Sequence, residues 1–321
     1  MPAGALSIVV PTRDTRELLR RCLASLAPLA GAEVLVVDDG STDGTAAALA
    51  PHFPQVRWLR HERPQGFARA ANAGLAAASG ELLLLLNSDT ELLAGDAAAL
   101  AARFGREPRL GAVGARLRNP DGSPQWSGGR EPTLAWFFAL GSALPARLAA
   151  SPLWRRARPV SGAVAGAVEW LPGTALVLAR AAWRAAGPLE ESYRFYAQDL
   201  ELCSRLRGAG FTLAVADELV VLHRLGGTVA TGAGAFGGQR LDLLWCDLLH
   251  WAARVRGPRW AGRARRALER GAALRAAALG ASCALARGER RARLAAERGA
   301  LAAARQALAG APQTGALAPI P

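Results

Sequence analysis

Three short polar segments each follow directly on an apolar run, and they contain groups that a phosphorylated ligand needs. They are Pro11-Thr12-Arg13-Asp14, Asp38-Asp39-Gly40-Ser41 and Asn87-Ser88-Asp89-Thr90. A diphosphate held through a divalent metal needs a carboxylate nearby, and an Asp at the end of a strand offers one on rigid backbone. Asp89 has that position. Asn and Asp also end strands simply by forming turns, so this tripeptide alone leaves both interpretations open.

Two further groups have the chemistry to contact a nucleotide. Asp38 and Asp39 carry acceptors for a base imide or for ribose hydroxyls, although Asp-Asp-Gly-Ser is equally a good turn and helix start. The segment from residue 66 to residue 74 opens a helix with small residues, and Arg69 and Asn72, three apart, fall on one face of it. Arg69 then either meets phosphate or base, or is a solvated arginine.

The elements that must position these residues form the pattern of an α/β domain. Strands are predicted at Leu6–Val10, Glu33–Val37, Val56–Leu59 and Glu81–Leu86, with helices at Thr15–Leu26 and Phe67–Ser79. Short apolar runs that alternate with helical patterns are typical of a parallel sheet covered by helices on both faces. Ligands of such sheets bind at the carboxyl ends of the strands, which is where the polar segments lie.

The rest of the chain is read more coarsely. Strands and a hairpin are predicted over residues 113–129, strands at Ala175–Ala179 and Thr212–Val215, and a helix at Asp199–Gly208. Residues 130–160 have a less regular pattern, which predicts an irregular excursion from the domain. Its aromatic residues are Trp136-Phe137-Phe138 and Trp154. They either contact an apolar acceptor or a membrane surface, or they pack onto the domain. Arg/Ala-rich helices are predicted from Leu241 to about Ala309, which gives a catalytic domain at 1–235 and a helical extension at 236–321.

The formal net charge of +13 is concentrated in that extension. Residues 251–310 contain fourteen Arg and three Glu, so the preceding 250 residues are close to neutral and no nucleic acid is expected as a partner. The Arg-rich helices lie on an anionic membrane leaflet or pack on the catalytic domain. All 39 basic residues are Arg, and the absence of Lys excludes Schiff-base catalysis and a P-loop ATPase.

Four widely spaced cysteines suggest neither a zinc site nor a redox pair, and they fit a reducing cytoplasm. The N-terminus lacks the pattern of a signal peptide, and no window of eighteen uncharged apolar residues predicts a membrane span. A nicotinamide-dependent oxidoreductase would carry a Gly-x-Gly-x-x-Gly turn after the first strand. The first turn here is Pro-Thr-Arg-Asp, which argues against that class and against a sugar nucleotidyltransferase.

In combination, the segments resemble family 2 of the inverting glycosyltransferases, which have the GT-A fold. The matching segments are Ile8 to Thr12, Val36 to Thr45, Gly66 to Gly74, Leu86 to Thr90, Pro172 to Ala175, Gly187 to Glu191, Gln198 to Phe211 and His223 to Thr228. The similarity extends to about residue 228. It implies a nucleoside-diphosphate sugar as donor, linked to UDP or dTDP, and Mg2+ or Mn2+ as cofactor.

The resemblance also implies roles for individual residues. Asp199 is the expected catalytic base, and Asp89 and His223 are the expected metal ligands. Residues expected to bind the nucleotide sugar are Pro11, Thr12, Asp14, Asp38, Asp39, Arg69, Asn72, Asn87 and Ser88. Residues expected near the acceptor are Gly173, Gln198 and Glu201, with Glu201 as the reserve candidate for the base.

Two departures from the family pattern matter. The family usually has Glu at the position of Gln198, and Phe-Asp-Glu at Leu189-Glu190-Glu191. Gln198 can orient an acceptor hydroxyl by hydrogen bonding, but it cannot raise the pKa of Asp199 by like-charge repulsion. A non-catalytic scaffold that binds nucleotide sugars therefore stays open as an alternative to an enzyme.

The Gln-x-x-Arg-Trp segment and the membrane helices of processive polysaccharide synthases are absent. The sequence therefore predicts a cytoplasmic enzyme that adds one sugar to a glycan or lipid-linked acceptor. Peripheral membrane contact follows only if the Arg-rich helices lie on the leaflet, and packing of these helices on the catalytic domain stays the alternative. The Asn-x-Asp variant of the metal motif gives a preference for transfer of a deoxysugar such as rhamnose.

Overall fold

The computed structural model describes residues 6–143, 168–224, 235–236 and 239–310. The chain forms two compact units. The first comprises residues 1–129, 160–191 and 198–225, and the second comprises residues 130–159, 192–197 and 226–321. The division predicted at residue 235 into a catalytic and an accessory part stays a prediction.

The first unit is built on one eight-stranded sheet. Its strands are β1 (Leu6–Thr12), β2 (Glu33–Asp38), β3 (Val56–Arg60), β4 (Leu82–Leu86), β5 (Thr90–Gly95), β6 (Leu110–Arg118), β7 (Ala175–Ala179) and β8 (Thr212–His223). The spatial order is β3-β2-β1-β4-β7-β6-β8-β5. The pairs β1·β2, β2·β3, β1·β4 and β6·β8 are parallel, and the pairs that involve β7 or β5 are antiparallel.

Helices cover both faces of this sheet. They are α1 (Arg16–Ser25), α2 (Thr45–Leu49), α3 (Phe67–Ala77), α4 (Ala97–Arg106), α6 (Arg180–Ala186) and α7 (Gln198–Gly208). Ile8 and Val10 of β1 belong to one hydrophobic cluster, and Val9 belongs to the other. Successive side chains of a strand point to opposite faces, so an uninterrupted apolar strand supplies both clusters.

Strand β1 has a proline near its carboxyl end and a helix packed closely against it. Pro11 has no N–H to donate, and it lies beyond the β1·β4 register, which ends at Val9 and Leu85. On the opposite side Pro11 is still in register with Val37 of β2. Helix α3 packs close to the strand because residue 74 is glycine: a Cβ there would lie 2.3 Å from Val9 Cγ1.

The second unit is helical. Its helices are α5 (Leu134–Ser142), α8 (Leu241–Arg256), α9 (Pro258–Leu285) and α10 (Gly288–Gly310), beside a two-stranded ribbon of β9 (Ala235–Phe236) and β10 (Gln239–Arg240). Helices α5 and α9 pack backbone against backbone. A Cβ at Gly141 would lie 2.2 Å from the carbonyl oxygen of Leu268, and one at Gly271 would lie 2.2 Å from that of Phe138.

The prediction of an irregular excursion at residues 130–160 is wrong for its first part. The Thr133 hydroxyl accepts a hydrogen bond from the backbone N–H of Trp136, and this cap starts α5. Phe137 is fully buried, with its ring centroid 5.9 Å from that of Trp260. These aromatics therefore pack within the helical unit. Trp154 lies outside the described residues.

Strand β8 is longer than predicted, because the polar pair Asp217-Glu218 does not end it. The first part of β8 pairs with β6 up to Ala216, and pairing resumes at Val220 after a register shift. Within the hairpin predicted over residues 113–129, a turn forms at Asn119–Gly122, where the Gly122 N–H donates to the Asn119 carbonyl at 2.9 Å. Beyond it, described pairing is limited to isolated bridges such as Arg118 to Pro124, so the predicted hairpin is incomplete.

A search of the described helices for a stretch long and apolar enough to cross a membrane finds none.

Candidate active site

Asp89 and His223 come together at one edge of the sheet. Thr90, the first residue of β5, is in register with His223, the last residue of β8. Asp89, which precedes Thr90, therefore lies beside His223. Asp89 Oδ1 lies 3.6 Å from His223 Nε2, and both side chains are buried. Asp89 Oδ1 has no hydrogen-bond partner among the described residues.

This pair fits a divalent metal. Two ligands about 2.1 Å from one octahedral ion lie about 3 Å apart, which is close to the observed separation. A buried carboxylate oxygen without a partner is costly, and a cation would remove that cost. No group of three or more candidate ligands occurs among the described residues. The remaining positions would fall to diphosphate and water, as is usual for Mg2+.

Gln125 fixes the orientation of His223, a role that no sequence pattern indicated. The Asn119 amide donates to the Ser123 hydroxyl and the Pro124 carbonyl, which turns its oxygen towards Gln125. Gln125 Nε2 donates to that oxygen at 2.8 Å, so Gln125 Oε1 faces His223 Nδ1 at 2.6 Å. Nδ1 therefore carries a proton, and in the neutral imidazole Nε2 then has its lone pair on the side of Asp89.

Asp199 lies in the first turn of helix α7, one residue after its start, and its carboxylate is held by backbone amides. Oδ2 accepts from the Gly173 N–H at 2.8 Å, and Oδ1 accepts from the Leu200 N–H at 2.7 Å. Burial raises the pKa of Asp199, and these two N–H groups oppose the rise. A carboxylate held in place with a raised pKa is suited to accept a proton.

The segment that contains Gly173 links Asp199 to the metal-site loop. The Asn87 N–H donates to the Thr174 carbonyl at 2.9 Å, directly beside the Gly173 amide that holds Asp199. Asn87 in turn precedes Asp89 by two residues. The structure therefore brings the predicted base and the predicted metal ligands to adjoining loops at one edge of the sheet.

Thr12 and Ser88 meet through a chain of hydroxyl groups. Thr12 Oγ1 lies 2.7 Å from Thr15 Oγ1, which lies 3.1 Å from Ser88 Oγ. The loops that follow β1 and β4 are thereby tied together, as expected for neighbouring parallel strands. Pro11 is buried within β1.

Asp14 adopts a left-handed backbone conformation, with a φ of 51°, and its carboxylate binds the neighbouring loop. Oδ1 accepts from the Thr42 backbone N–H at 2.7 Å and from the Asp43 N–H at 3.3 Å. The Asp14 N–H donates to the Ser41 hydroxyl at 3.0 Å. Asp14 therefore orders the loops that follow β1 and β2. Its contact with the nucleotide-sugar donor stays a prediction.

Asp38 and Asp39, at the end of β2, differ in how much of their hydrogen-bonding capacity is already used. Asp39 accepts from the backbone N–H groups of Gln65 and Gly66 and lies 2.7 Å from His61 Nδ1, so most of its capacity is used. Asp38 Oδ1 accepts from the Ser41 N–H. Asp38 Oδ2 is buried and has no hydrogen-bond partner among the described residues, although the Arg60 guanidinium lies 3.6 Å away. Asp38 therefore keeps more hydrogen-bonding capacity for a ligand than Asp39 does.

His61 contacts Asp39, although no sequence motif singles it out. Residue 60 of β3 is in register with Asp38 of β2, so His61 comes beside Asp39. The parallel register of the two strands was the available signal, since it pairs the residues that follow each strand.

Arg69 and Asn72 lie on one face of α3, as predicted, and both reach the segment before α7. Asn72 uses its amide oxygen and nitrogen on the backbone N–H and carbonyl of Leu189. Arg69 Nε donates to Glu191 Oε2 at 2.9 Å in an exposed ion pair. The Asn72 amide is therefore committed to holding that segment, while the exposed Arg69 can exchange Glu191 for a ligand anion.

Gln198 and Glu201 are both buried in the first turn of α7. Glu201 lies 3.9 Å from the Arg205 guanidinium, one turn further along the helix. Their roles towards an acceptor stay predictions.

Comparison with known proteins bears on this arrangement. Residues 7–153 match the family model described as Glycosyl transferase family 2. An N-acetylglucosaminyl-diphospho-decaprenol L-rhamnosyltransferase of Mycobacterium tuberculosis is 32% identical over 239 aligned residues, and the alignment covers 68% of this chain and 75% of the relative. The chain belongs to glycosyltransferase family 2. This confirms the predicted family and the predicted enzyme class, over the scaffold, oxidoreductase and nucleotidyltransferase alternatives.

Other similarities support the same family and fold. This chain is 27% identical over 229 aligned residues to the O-antigen biosynthesis protein RfbC of Myxococcus xanthus, and the alignment covers 68% of this chain and 17% of that protein. A mannosyltransferase from Pyrobaculum calidifontis, solved with GDP-Man and Mn2+, superposes with a TM-score of 0.56 at 18% identity, covering 95% of this chain and 86% of the other. That likeness concerns the fold alone, and it confirms the predicted GT-A architecture.

Proposed function

We propose that this transferase moves one sugar, with inversion, from a UDP- or dTDP-linked donor to a hydroxyl group of a glycan or lipid-linked acceptor. The observation that carries the proposal is the set of adjoining loops that hold Asp89, His223 and Asp199. It combines the buried Asp89 Oδ1, which has no hydrogen-bond partner in the described part of the chain, with a separate carboxylate, Asp199, whose pKa is raised by burial. Inverting transfer needs these two functions, one towards the diphosphate and one towards the acceptor proton.

The residues divide the reaction between them. Asp89 and His223 would hold Mg2+ or Mn2+, whose positive charge stabilises the departing diphosphate when it is bound. Asp199 accepts the proton of the acceptor hydroxyl as that oxygen attacks the anomeric carbon, and the amides of Gly173 and Leu200 keep the carboxylate aimed. Attack opposite the leaving group inverts the anomeric configuration without a covalent enzyme intermediate.

The donor and acceptor follow from the relatives and remain part of the proposal. The M. tuberculosis relative is named as an L-rhamnosyltransferase acting on a decaprenol-linked acceptor, and the M. xanthus relative is named for O-antigen biosynthesis. We therefore propose a dTDP-linked deoxysugar donor, a polyprenyl-diphosphate-linked glycan acceptor and a place in cell-envelope polysaccharide assembly. The reaction would take place at the cytoplasmic face of the membrane.

A donor panel tests this function. Release of nucleoside diphosphate is measured with rhamnose, galactofuranose, glucose and N-acetylglucosamine donors, with Mn2+, Mg2+ or EDTA, for the wild type and for Asp199→Asn and Asp89→Ala. We expect metal-dependent transfer that both substitutions abolish. Full transfer by Asp199→Asn would refute the assignment of the base, and full transfer in EDTA would refute the metal site.

A membrane contact is proposed from the exposed face of α9. Its first half presents four exposed arginines at helical spacing, which are Arg259, Arg263, Arg266 and Arg270. The same face continues with exposed alanines and with Leu274 and Leu285, which are 51% and 88% exposed. None of the four arginines forms an ion pair with another described residue. A helix face of this kind fits an anionic membrane, where each arginine contributes about 1 kcal/mol of attraction.

Charge substitution tests this contact better than deletion of the extension, because α8 contributes buried residues such as Trp245 and Trp251 to the fold. The α9 arginines are replaced together by Gln and flotation is measured with phosphatidylglycerol and phosphatidylcholine vesicles. A control variant replaces four arginines of the first unit, which are Arg20, Arg21, Arg106 and Arg184. Selective loss of binding to anionic vesicles in the α9 variant is expected, and equal binding by both variants would refute the contact.

A further inference from the structure

Asp247, in the middle of α8, is a fully buried carboxylate that the proposed reaction does not use. It accepts hydrogen bonds from three successive backbone N–H groups, those of Arg194 at 3.1 Å, Phe195 at 2.8 Å and Tyr196 at 2.7 Å. Burial raises the pKa of Asp247, and the three N–H groups oppose that rise. Burying a carboxylate costs free energy unless its oxygens accept hydrogen bonds. Both oxygens of Asp247 accept from one short segment, so we assign Asp247 the role of holding that segment.

The segment Ser192–Ala197, which we call the Asp247 loop, is tied to α8 and its start at further points. The Ser192 hydroxyl lies 2.8 Å from His250 Nε2, one turn along α8 from Asp247. The Arg240 backbone N–H donates to the Tyr196 hydroxyl at 3.1 Å. These contacts all lie within the helical unit.

The last residue of the Asp247 loop has a costly backbone conformation. Ala197 has a φ of 67°, in the left-handed region that side chains other than glycine rarely adopt. Such a conformation persists where the surrounding contacts enforce it. The three amides held by Asp247 directly precede Ala197, and the two residues that follow it are Gln198 and Asp199.

From this arrangement we infer that Asp247 is a positioning residue for the transfer reaction. Asp247 fixes the backbone of Arg194 to Tyr196 and thereby enforces the turn at Ala197. This turn sets the direction in which the backbone runs from the loop to Asp199. The inference rests on the proposed role of Asp199 as base. It gives the helical extension a part in catalysis, distinct from contact with a membrane.

Two substitutions of different severity test the inference. Asp247→Asn keeps one oxygen acceptor and the side-chain shape, whereas Asp247→Ala leaves all three N–H groups without their partner. We expect kcat to fall on the order of 100-fold for Asp247→Ala, as for other displacements of a catalytic group, and less for Asp247→Asn. The KM for the donor and the binding of UDP or dTDP with Mn2+ should stay at the wild-type values.

The number of nucleoside-diphosphate sites per chain distinguishes a positioning role of Asp247 from a purely structural one. Calorimetric titration with nucleoside diphosphate and Mn2+ counts the chains that are folded around the donor site, and positioning predicts one site per chain despite the low kcat. Hydrogen exchange over residues 192–200 should be faster in both variants. A binding stoichiometry that falls in parallel with kcat in Asp247→Asn would overturn the inference, as would a wild-type kcat in that variant.

The control is Glu269→Gln, which removes a carboxylate from α9 that pairs with Arg265 and does not contact the Asp247 loop. We expect its kcat and exchange to match the wild type. Failure of the two proposals is distinguishable. If Asp199→Asn transfers sugar at the wild-type rate, the assignment of the base fails. If Asp199→Asn is inactive while Asp247→Asn keeps wild-type kcat, the positioning role alone fails.

Discussion

Replacing Gln125 by Leu should weaken metal binding without touching a metal ligand. In the structure Gln125 Oε1 accepts from His223 Nδ1 at 2.6 Å, and this bond leaves the lone pair on Nε2, 3.6 Å from Asp89. Leu cannot accept that hydrogen bond. The imidazole must then either keep an unsatisfied N–H on Nδ1 or move the proton to Nε2, where it blocks the metal side of the ring.

The size of the effect follows from the burial of His223. A buried donor left without its acceptor costs about 1–3 kcal/mol. Because this cost applies to the tautomer that binds metal, it appears in the metal affinity as a loss on the order of 10- to 100-fold. The partly buried Gln125 also bonds Asn119, so a smaller loss of folding stability is expected as well.

The assay is Mn2+ titration followed by electron paramagnetic resonance, with saturating nucleoside diphosphate and with protein whose melting curve shows it to be folded at the assay temperature. The matched control is Gln55→Leu, at an exposed glutamine before β3. Wild-type Mn2+ affinity in the folded Gln125→Leu protein would refute the argument that Gln125 selects the tautomer of His223. A loss of affinity in both variants would refute it equally.

Two further predictions concern the pH dependence and the packing. Asp199 must be ionised to accept a proton and its pKa is raised by burial, so kcat/KM should fall on acidification around a pKa above the ordinary Asp value of about 3.9; a pH–rate profile without such a limb would contradict this. Gly271→Ala should destabilise the protein by about 1–3 kcal/mol in urea unfolding, because its Cβ would lie 2.2 Å from the Phe138 carbonyl oxygen. Gly280→Ala, in the same helix with open space at its Cβ, should be neutral or stabilising, and equal losses for the two variants would contradict the packing argument.

Much of the sheet and of its ligand edge was predictable from the sequence, because it depends on local patterns. Uninterrupted apolar runs such as Leu82–Leu86 specify strands buried on both faces, and the polar residues that follow them must lie at the carboxyl edge. The position of Asp89 at that edge follows from this rule alone. Asp199 and His223 were assigned through the family resemblance, and the structure places both beside the loop of Asp89.

The errors arose where the pattern was ambiguous over a short distance. The strand predicted at Thr212–Val215 was too short, because a register shift carries β8 past Asp217 and Glu218 to His223. Residues Leu134–Ser142 looked irregular because proline and arginine flank an aromatic cluster, yet the cap at Thr133 and close packing on α9 make them a helix.

The sequence by itself determined which residues are candidates for the chemistry of this protein, since strand ends and motif spacing are encoded locally. Only the tertiary structure decided which residues hold them in place. Gln125 meets His223 across 98 residues and Asp247 meets Tyr196 across 51. Such contacts depend on strand register and on how distant helices pack. A shift of one residue in a strand turns its side chains to the opposite face, so no local pattern fixes these partners.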